Sequence, residues 1–328
     1  MQALSESDKP ILVIGRAGMD LYPDPPGTRT EDATQFTTAL GGSSGNIAAA
    51  LSRYGVPVGL LTCVSDDAVG RFVRNQLAHY GIDDHLVKTI RGDERTSLAL
   101  AESRVEDHQS VIYRNNAADF QMDESQIAGV DFREYRALVI TGTCLTLEPS
   151  RSASLLALKK AQVVGIPVIM DLDYRPYSWE SPAMAQTVYH QAVEYVDLLV
   201  GNDEEFGHLA GDYERGLAEA ALLTSQGCNC IYKRGEFGSK SLLTDGRMIE
   251  TGVFAVSPLK PTGAGDAFLG GVLASLCRGE SITEAIQIGS AAAAIVVTRV
   301  GCAPAMPDLE DIHQFRRTRN TTQTVSGV

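Results

Sequence analysis

The hydrophobic positions of this chain fall into two alternating patterns. Pro10–Gly15, Val58–Val64, Ala137–Gly142, Pro167–Asp173 and Leu198–Asn202 are short, nearly continuous apolar runs, as expected of strands buried on both faces. Between them, Ser43–Tyr54, Ala68–Tyr80, Pro149–Val164 and Pro182–Tyr195 carry apolar residues at helical spacing. The first two are closed by glycines, Gly55 and Gly81. This alternation predicts a parallel sheet covered by helices. Cys230–Arg234, Ser239–Thr244 and Met248–Val256 read as further strands, with turns at Gly235–Gly238 and Asp245-Gly246. Two alanine-rich helices, Gly265–Arg278 and Ile282–Arg299, follow.

Arg95–Tyr113 breaks the rhythm. Ser97–Ala101 and Ser110–Tyr113 read as half-exposed strands. With the polar, alternating stretch Thr28–Leu40, they predict a second, smaller sheet that is wet on one face. Tyr22–Gly27 contains Pro23, Pro25 and Pro26 and is expected to be loop. Arg316–Val328 is polar and expected to fray. No repeat or long linker divides residues 1–328, so one domain is expected, with a small β lid built from about 16–40 and 95–118.

Composition narrows the function. Hydrophobic residues make up 44% of the 328 positions and charged residues 21%, which suits a sizeable core. Asp and Glu number 41 against 28 Lys and Arg, a net charge of −13. That field repels polyanions and argues against nucleic acid or an anionic membrane as partner. An anionic substrate would need a locally basic site. The cysteines form no CxxC pair and the histidines no HExxH, so neither a zinc cage nor a disulfide scaffold is expected. Free thiols suit a cytoplasmic protein. Met1–Pro10 does not resemble a signal peptide, and Ser290–Val297 is too short to span a bilayer.

The most informative stretch is Leu259–Phe268, LKPTGAGDAF. Gly263 and Gly265 stand at the mouth of an apolar helix, where N–H groups lack intrahelical partners and the dipole favours an anion. Asp266, in the first turn, could take a proton from a hydroxyl attacking a phosphoryl group held there. The plainer reading is a glycine-rich turn with an acidic residue favouring the helix dipole. A dinucleotide fingerprint does not fit, because Phe268 stands at its third glycine position. A Walker P-loop is excluded by the lack of any Gly-Lys dipeptide.

Two segments together resemble the signatures of the ribokinase-like (PfkB) carbohydrate kinases: Gly41-Gly42 with Asn46–Gly55 near the start, and Thr262–Phe268 near the end. The resemblance covers about residues 10–315. It implies an α/β fold, Rossmann-like with three α/β/α layers, and a small β-sheet lid whose closure excludes water. Gly15–Leu21, Tyr113–Asp119, Asp171–Glu180 and Leu259-Lys260 further resemble the branch of the family that acts in inositol catabolism. That likeness implies ATP-dependent phosphorylation of the terminal hydroxyl of a sugar acid, 5-dehydro-2-deoxy-D-gluconate, to its 6-phosphate.

The resemblance also implies roles. Asp266 is the catalytic base, and the N–H groups of Gly263, Ala264 and Gly265 form the anion hole. Asp20, Gly41, Gly42 and Asn46 bind the sugar; the plainer readings are a strand-end loop aspartate for Asp20 and a helix cap for Asn46. Arg114 and Arg175 are basic exceptions in an acidic chain, suited to a carboxylate and to the transferring phosphate; otherwise they are surface ion pairs. Asn202, Glu205, Lys233, Gly235 and Gly238 match the ATP-binding elements, with Glu205 reaching Mg2+ through water. An acidic helix start explains Asn202–Glu205 equally well. Lys260-Pro261 stands where many members carry an Asp-Thr pair that helps bind a monovalent cation. Lysine ligates no cation, so no such ion is expected to be required.

Other readings remain open: a kinase for 2-keto-3-deoxygluconate or for a neutral sugar such as fructose or ribose, or a non-catalytic sugar-binding regulator. An intact Gly263–Asp266 argues against the regulator, and Arg114 favours an acid. A homodimer through the lid is a further arrangement that the sequence leaves undecided.

Overall fold

In the computed structural model, which describes residues 4–319, 321 and 324–327, the chain begins with β1 (Ile11–Ile14), β2 (Gly18–Asp24), β3 (Gln35–Gly41), α1 (Ser43–Arg53), β4 (Val58–Ser65), α2 (Ala68–His79), β5 (Val87–Ile90), β6 (Leu98–Ala101) and β7 (Ser110–Tyr113). It continues with α3 (Glu124–Ala128), β8 (Ala137–Thr141), α4 (Ser150–Val164), β9 (Val168–Asp171), α5 (Pro182–Val193), β10 (Leu198–Asn202), α6 (Asp203–Ala210), α7 (Gly216–Ser225) and β11 (Asn229–Lys233). The last elements are β12 (Ser239–Leu242), β13 (Met248–Thr251), α8 (Ala264–Cys277), α9 (Ile282–Val296), α10 (Leu309–Arg317) and β14 (Thr324–Gly327). They gather into two compact units. One comprises the described residues of Met1–Ile14, Asp123–Val253 and Thr321–Val328; the other comprises those of Gly15–Met122 and Phe254–Asn320.

In the first unit the strand order is β14-β13-β12-β11-β10-β9-β8-β1. β1, β8, β9, β10 and β11 run parallel, and β11 to β14 pair antiparallel. β1, β8 and β9 are buried at every position, which their continuous apolar composition requires. Helix starts are fixed locally. Pro182 opens α5 behind Ser181, whose Oγ accepts the Met184 N–H at 3.1 Å.

The small sheet is not a unit of its own: it belongs to the second unit, with α1, α2, α8 and α9. Its order is β3-β2-β6-β7, and it is accompanied by the parallel pair β4–β5. β7 is largely exposed and β6 alternates, as expected of a sheet wet on one face. The loop expected over Tyr22–Gly27 is corrected in part, because Tyr22, Pro23 and Asp24 continue β2 opposite β3. β2 pairs with β6 only through Met19–Leu21. Beyond Leu21, β2 therefore has one neighbour, and a proline there interrupts no ladder on its other side.

Small residues set the packing of the second unit. A Cβ on Gly270 of α8 would lie 2.5 Å from Ala50 Cβ of α1, and one on Gly289 of α9 would lie 2.6 Å from the Phe268 carbonyl. Glycine at these crossings lets the helix backbones approach closely. The tail is more ordered than its polarity suggests. α10 runs to Arg317, Ile312 is buried, and Arg316 Nη2 bonds Glu284 Oε2 at 3.0 Å and Gln287 Oε1 at 2.9 Å. An amphipathic turn with a bidentate ion pair replaces the expected frayed segment up to Arg317. Residues 320, 322, 323 and 328 of that tail lie outside the described residues.

Candidate active site

The candidate side chains fall into two groups, one in each unit. In the second unit, close packing of α1 on α8 brings the first turns of both helices together. Asn46 Nδ2 donates to Asp266 Oδ2 at 2.8 Å, a contact between residues 220 positions apart. Asn46 is buried and its Oδ1 has no hydrogen-bond partner. Gly263 caps α8 in the left-handed region, with φ 83°. A Cβ there would lie 2.9 Å from Cys302 Sγ, so glycine is required on both conformational and steric grounds. The opening N–H groups of α8 follow, with no acceptor within the helix.

Asp20 comes from β2. Its Oδ2 accepts the Tyr22 hydroxyl at 2.8 Å, and the Tyr22 oxygen accepts the Cys302 N–H at 3.1 Å. A Cβ on Gly41 would fall 1.8 Å from Asp20 Oδ1, so only glycine leaves this carboxylate its place. Burial raises the Asp20 carboxyl above the ordinary carboxylate range, while Arg16, the Tyr22 hydroxyl and Lys260 oppose the shift. Lys260 has no exposed surface, and its ammonium donates to the Thr262 carbonyl of the glycine-rich turn. Burial holds it below the usual lysine range, against the attraction of nearby groups that include Asp266 and Asp20. The buried Cys302 thiol is pushed up to about 11, chiefly by burial.

The first unit holds the other group. Asn202 and Glu205 form a reciprocal cap on α6: Asn202 Oδ1 accepts the Glu205 N–H at 2.8 Å, and Glu205 Oε2 accepts the Asn202 N–H at 2.7 Å. Glu205 Oε1 also accepts the Tyr174 N–H at 3.2 Å. Burial raises this carboxyl; Lys233 and the Asn202 N–H lower it, Asp173 raises it and Arg175 lowers it. Arg175 is half-exposed and pairs with Asp173 Oδ1 at 2.7 Å. Gly235 and Gly238 flank the turn after β11 with φ 53° and 79°. Among the described residues no cluster of three or more His, Cys, Asp or Glu side chains could cage a metal.

Asp20, Gly41, Gly42, Asn46, Gly263, Ala264, Gly265 and Asp266 all lie in the second unit, and Arg175, Asn202, Glu205, Lys233, Gly235 and Gly238 in the first. Arg114 belongs to the second unit, but its Nε and Nη2 both bond Asp119 Oδ2, and its guanidinium lies 4.0 Å above the Phe120 ring. Sequence reasoning did not single out Tyr22, Cys302, Asp173 or Arg16. For Arg16 a signal existed: a basic residue between Gly15 and Gly18, four positions before Asp20, in an acidic chain.

The pfkB family carbohydrate kinase profile matches residues 8–309, and the chain belongs to that family. It is a phosphotransferase with an α/β fold and a smaller second sheet. It is 37% identical over 321 residues to a 5-dehydro-2-deoxygluconokinase of Photobacterium profundum, covering 96% of this chain and 97% of that one. It is 34% identical over 311 residues to one of Clostridium tetani, covering 93% and 92%. In fold it is similar to a Vibrio cholerae fructokinase double mutant solved with fructose, ADP and potassium ion (TM-score 0.83, 24% identity, 95% and 99% covered). It is likewise similar to a Xylella fastidiosa fructokinase with bound ATP (TM-score 0.82, 22% identity, 95% and 99% covered). Among the described residues no helix is long and apolar enough to cross a membrane.

Proposed function

We propose that this chain transfers the γ-phosphoryl group of ATP to the terminal hydroxyl of 5-dehydro-2-deoxy-D-gluconate, giving the 6-phosphate and ADP. The observation that carries this reading is the Asp266–Asn46 contact at the glycine-capped mouth of α8. The amide orients the Asp266 carboxylate in the first turn of the helix, beside the glycine-capped mouth. As the hydroxyl oxygen bonds to the γ-phosphorus, the bond to the ADP oxygen breaks and the hydroxyl proton passes to Asp266. The N–H groups of Gly263, Ala264 and Gly265 stabilise charge on the transferred group. Asp20 accepts sugar hydroxyls, the bare Gly41 and Gly42 let the sugar lie against backbone, and Asn46 completes its pocket. Lys233, Asn202, Gly235 and Gly238 serve the nucleotide, and Arg175 serves the substrate, between it and the transferring phosphate. Glu205 reaches Mg2+ through water, since both its oxygens already accept backbone N–H groups. When bound, the ion neutralises phosphate charge. The setting proposed is cytoplasmic, with small-molecule partners only.

Lys260 supplies a fixed positive charge where relatives use a monovalent cation. Strong and equal potassium activation of the wild type and of Lys260→Asp overturns this point.

The test is an ADP-release assay with MgATP against 5-dehydro-2-deoxygluconate, 2-keto-3-deoxygluconate, fructose, ribose and adenosine. A kcat/KM preference for the first is expected. Preference for a neutral sugar keeps Asp266 and discards the acid; no turnover on any of them restores the non-catalytic reading.

A further inference from the structure

Among the described residues three arginines are buried: Arg16, Arg114 and Arg136. Two are well matched. Arg114 is held by the Asp119 carboxylate, and Arg136 donates to the backbone carbonyls of Lys9 and Leu4. Arg16 differs. It is 8% exposed, yet its guanidinium makes one hydrogen bond, from Nη1 to Ser97 Oγ at 3.1 Å, and no carboxylate of the described residues lies within 4 Å. A guanidinium has five N–H donors. The other nitrogens of Arg16 are not among the enclosed atoms that lack partners, so they retain some accessible surface. A cation held in this way is costly until an anion meets it.

Gly18 of β2 and Gly41 of β3 stand directly opposite each other on one face of the small sheet, and the space their side chains would take is filled by Ser97 and by the Asp20 carboxylate. A Cβ on Gly18 would lie 3.3 Å from Arg16 Nη1, and one on Gly41 would lie 1.8 Å from Asp20 Oδ1. Cation and carboxylate thus border the same floor. Asp20 is within electrostatic reach of both Arg16 and Lys260, and Lys260 is within reach of Asp266. Asp20 is thus the carboxylate that shares its surroundings with Arg16 and with Lys260.

We propose that Arg16 is the residue that selects an anionic sugar, its open guanidinium donors receiving the substrate's carboxylate at the end remote from the reacting hydroxyl. This deepens, and rests on, the kinase reading above. It moves the acid-binding role from Arg114, already paired with Asp119, to Arg16, whose guanidinium has a single hydrogen bond. A neutral sugar leaves Arg16 unmatched, so discrimination comes from the stranded charge as well as from the hydrogen bonds made to the acid.

The experiment uses the full chain and two probes, 5-dehydro-2-deoxygluconate and its neutral primary amide. Arg16→Gln is expected to raise KM for the acid about 100-fold while KM for the amide moves less than about 3-fold, since the loss is that of a buried charge contact. Arg16→Lys recovers part of the loss, and Arg114→Gln gives no such selective effect. Arg16→Met serves as the fold control, with a thermal midpoint that stays within a few degrees of the wild type because the buried guanidinium has no carboxylate of the described residues within 4 Å, although Asp20 loses a positive neighbour. Equal losses on acid and amide, an unchanged acid KM, or the selective loss appearing in Arg114→Gln would each overturn the proposal. If the wild type turns over a different sugar acid, only the substrate reading fails, and the Arg16 ratio is read on that acid and its amide. If the wild type binds no sugar acid by calorimetry, both fail.

Discussion

The two groups of charged side chains solve opposite problems. In the second unit, Asp20, Lys260 and Arg16 are buried against glycine and small side chains, and the two cations carry 0% and 8% exposure. Such charges are costly to bury, and they stay in place because backbone and neighbours leave them one position each: Gly41 seats Asp20, and the Thr262 carbonyl seats Lys260. In the first unit, Arg175 has a side-chain exposure of 46%, and its partner Asp173 sits in the left-handed region at φ 40°. Glu205 does structural service there as a helix cap. On the proposed function the group in the second unit would be preorganised for one shape of sugar, at a cost in stability. In the first unit Asp173 and Glu205 are buried as well, but they have partners, and Arg175 alone of the three reaches well into solvent. The difference teaches that burial with few partners, more than charge itself, separates the two groups.

The largest test of that contrast is Asp266→Ala. Turnover should fall about 10²–10⁴-fold, the range for losing a general base. Binding of an ATP analogue by calorimetry should be nearly unchanged, because Asp266 is not among the residues proposed to hold the nucleotide. Loss of nucleotide affinity in step with turnover would break the division of labour.

Asp20→Asn comes next. Burial raises the Asp20 carboxyl, so the folded chain holds this proton at pH values where the unfolded chain has lost it. The stability this group contributes is present below its ordinary value of 3.8 and is lost as pH rises through the raised value. Above that window the ionised carboxyl works against the fold. Asp20→Asn should therefore raise the thermal midpoint at neutral pH by about 2–4 °C. It should raise KM for the sugar about 10–100-fold, the cost of losing charged hydrogen bonds. A lower midpoint would show that the carboxylate holds the fold together.

The smallest effect is expected in the first unit. Asn202→Ala removes one arm of the reciprocal cap and should cost about 1 kcal/mol. Denaturant unfolding measures this directly, and KM for the sugar should not move. A sugar-site defect in this variant would show that the two groups of side chains are energetically coupled.

Much of the molecule was legible in the chain. The apolar runs located β1, β4, β8, β9 and β10 to within a residue or two, because a doubly buried strand must be continuously apolar. The turn that opens α8, with Asp266 in the first helical turn, was legible because glycine readily takes the left-handed conformation that Gly263 adopts there. The strand character of Tyr22–Asp24 was hidden, since a proline excludes a strand only where a second neighbour needs its N–H. The order of the tail through Arg317 was hidden as well, because polar composition does not reveal an ion pair 32 residues away.

Sequence alone determined which residue types this protein has for its chemistry: an aspartate in a helix's first turn, glycines that admit close approach, and a few arginines in an acidic chain. Their pairing came from tertiary structure. Asn46 reaches Asp266 across 220 positions because Gly270 and Ala50 let two helices approach. Arg114 and Arg16 look alike in the sequence, and only the fold gives one of them Asp119 and leaves the other open. Local patterns follow from the geometry of one element, whereas the matching of charges depends on which elements pack together. A partner's presence is a property of that packing.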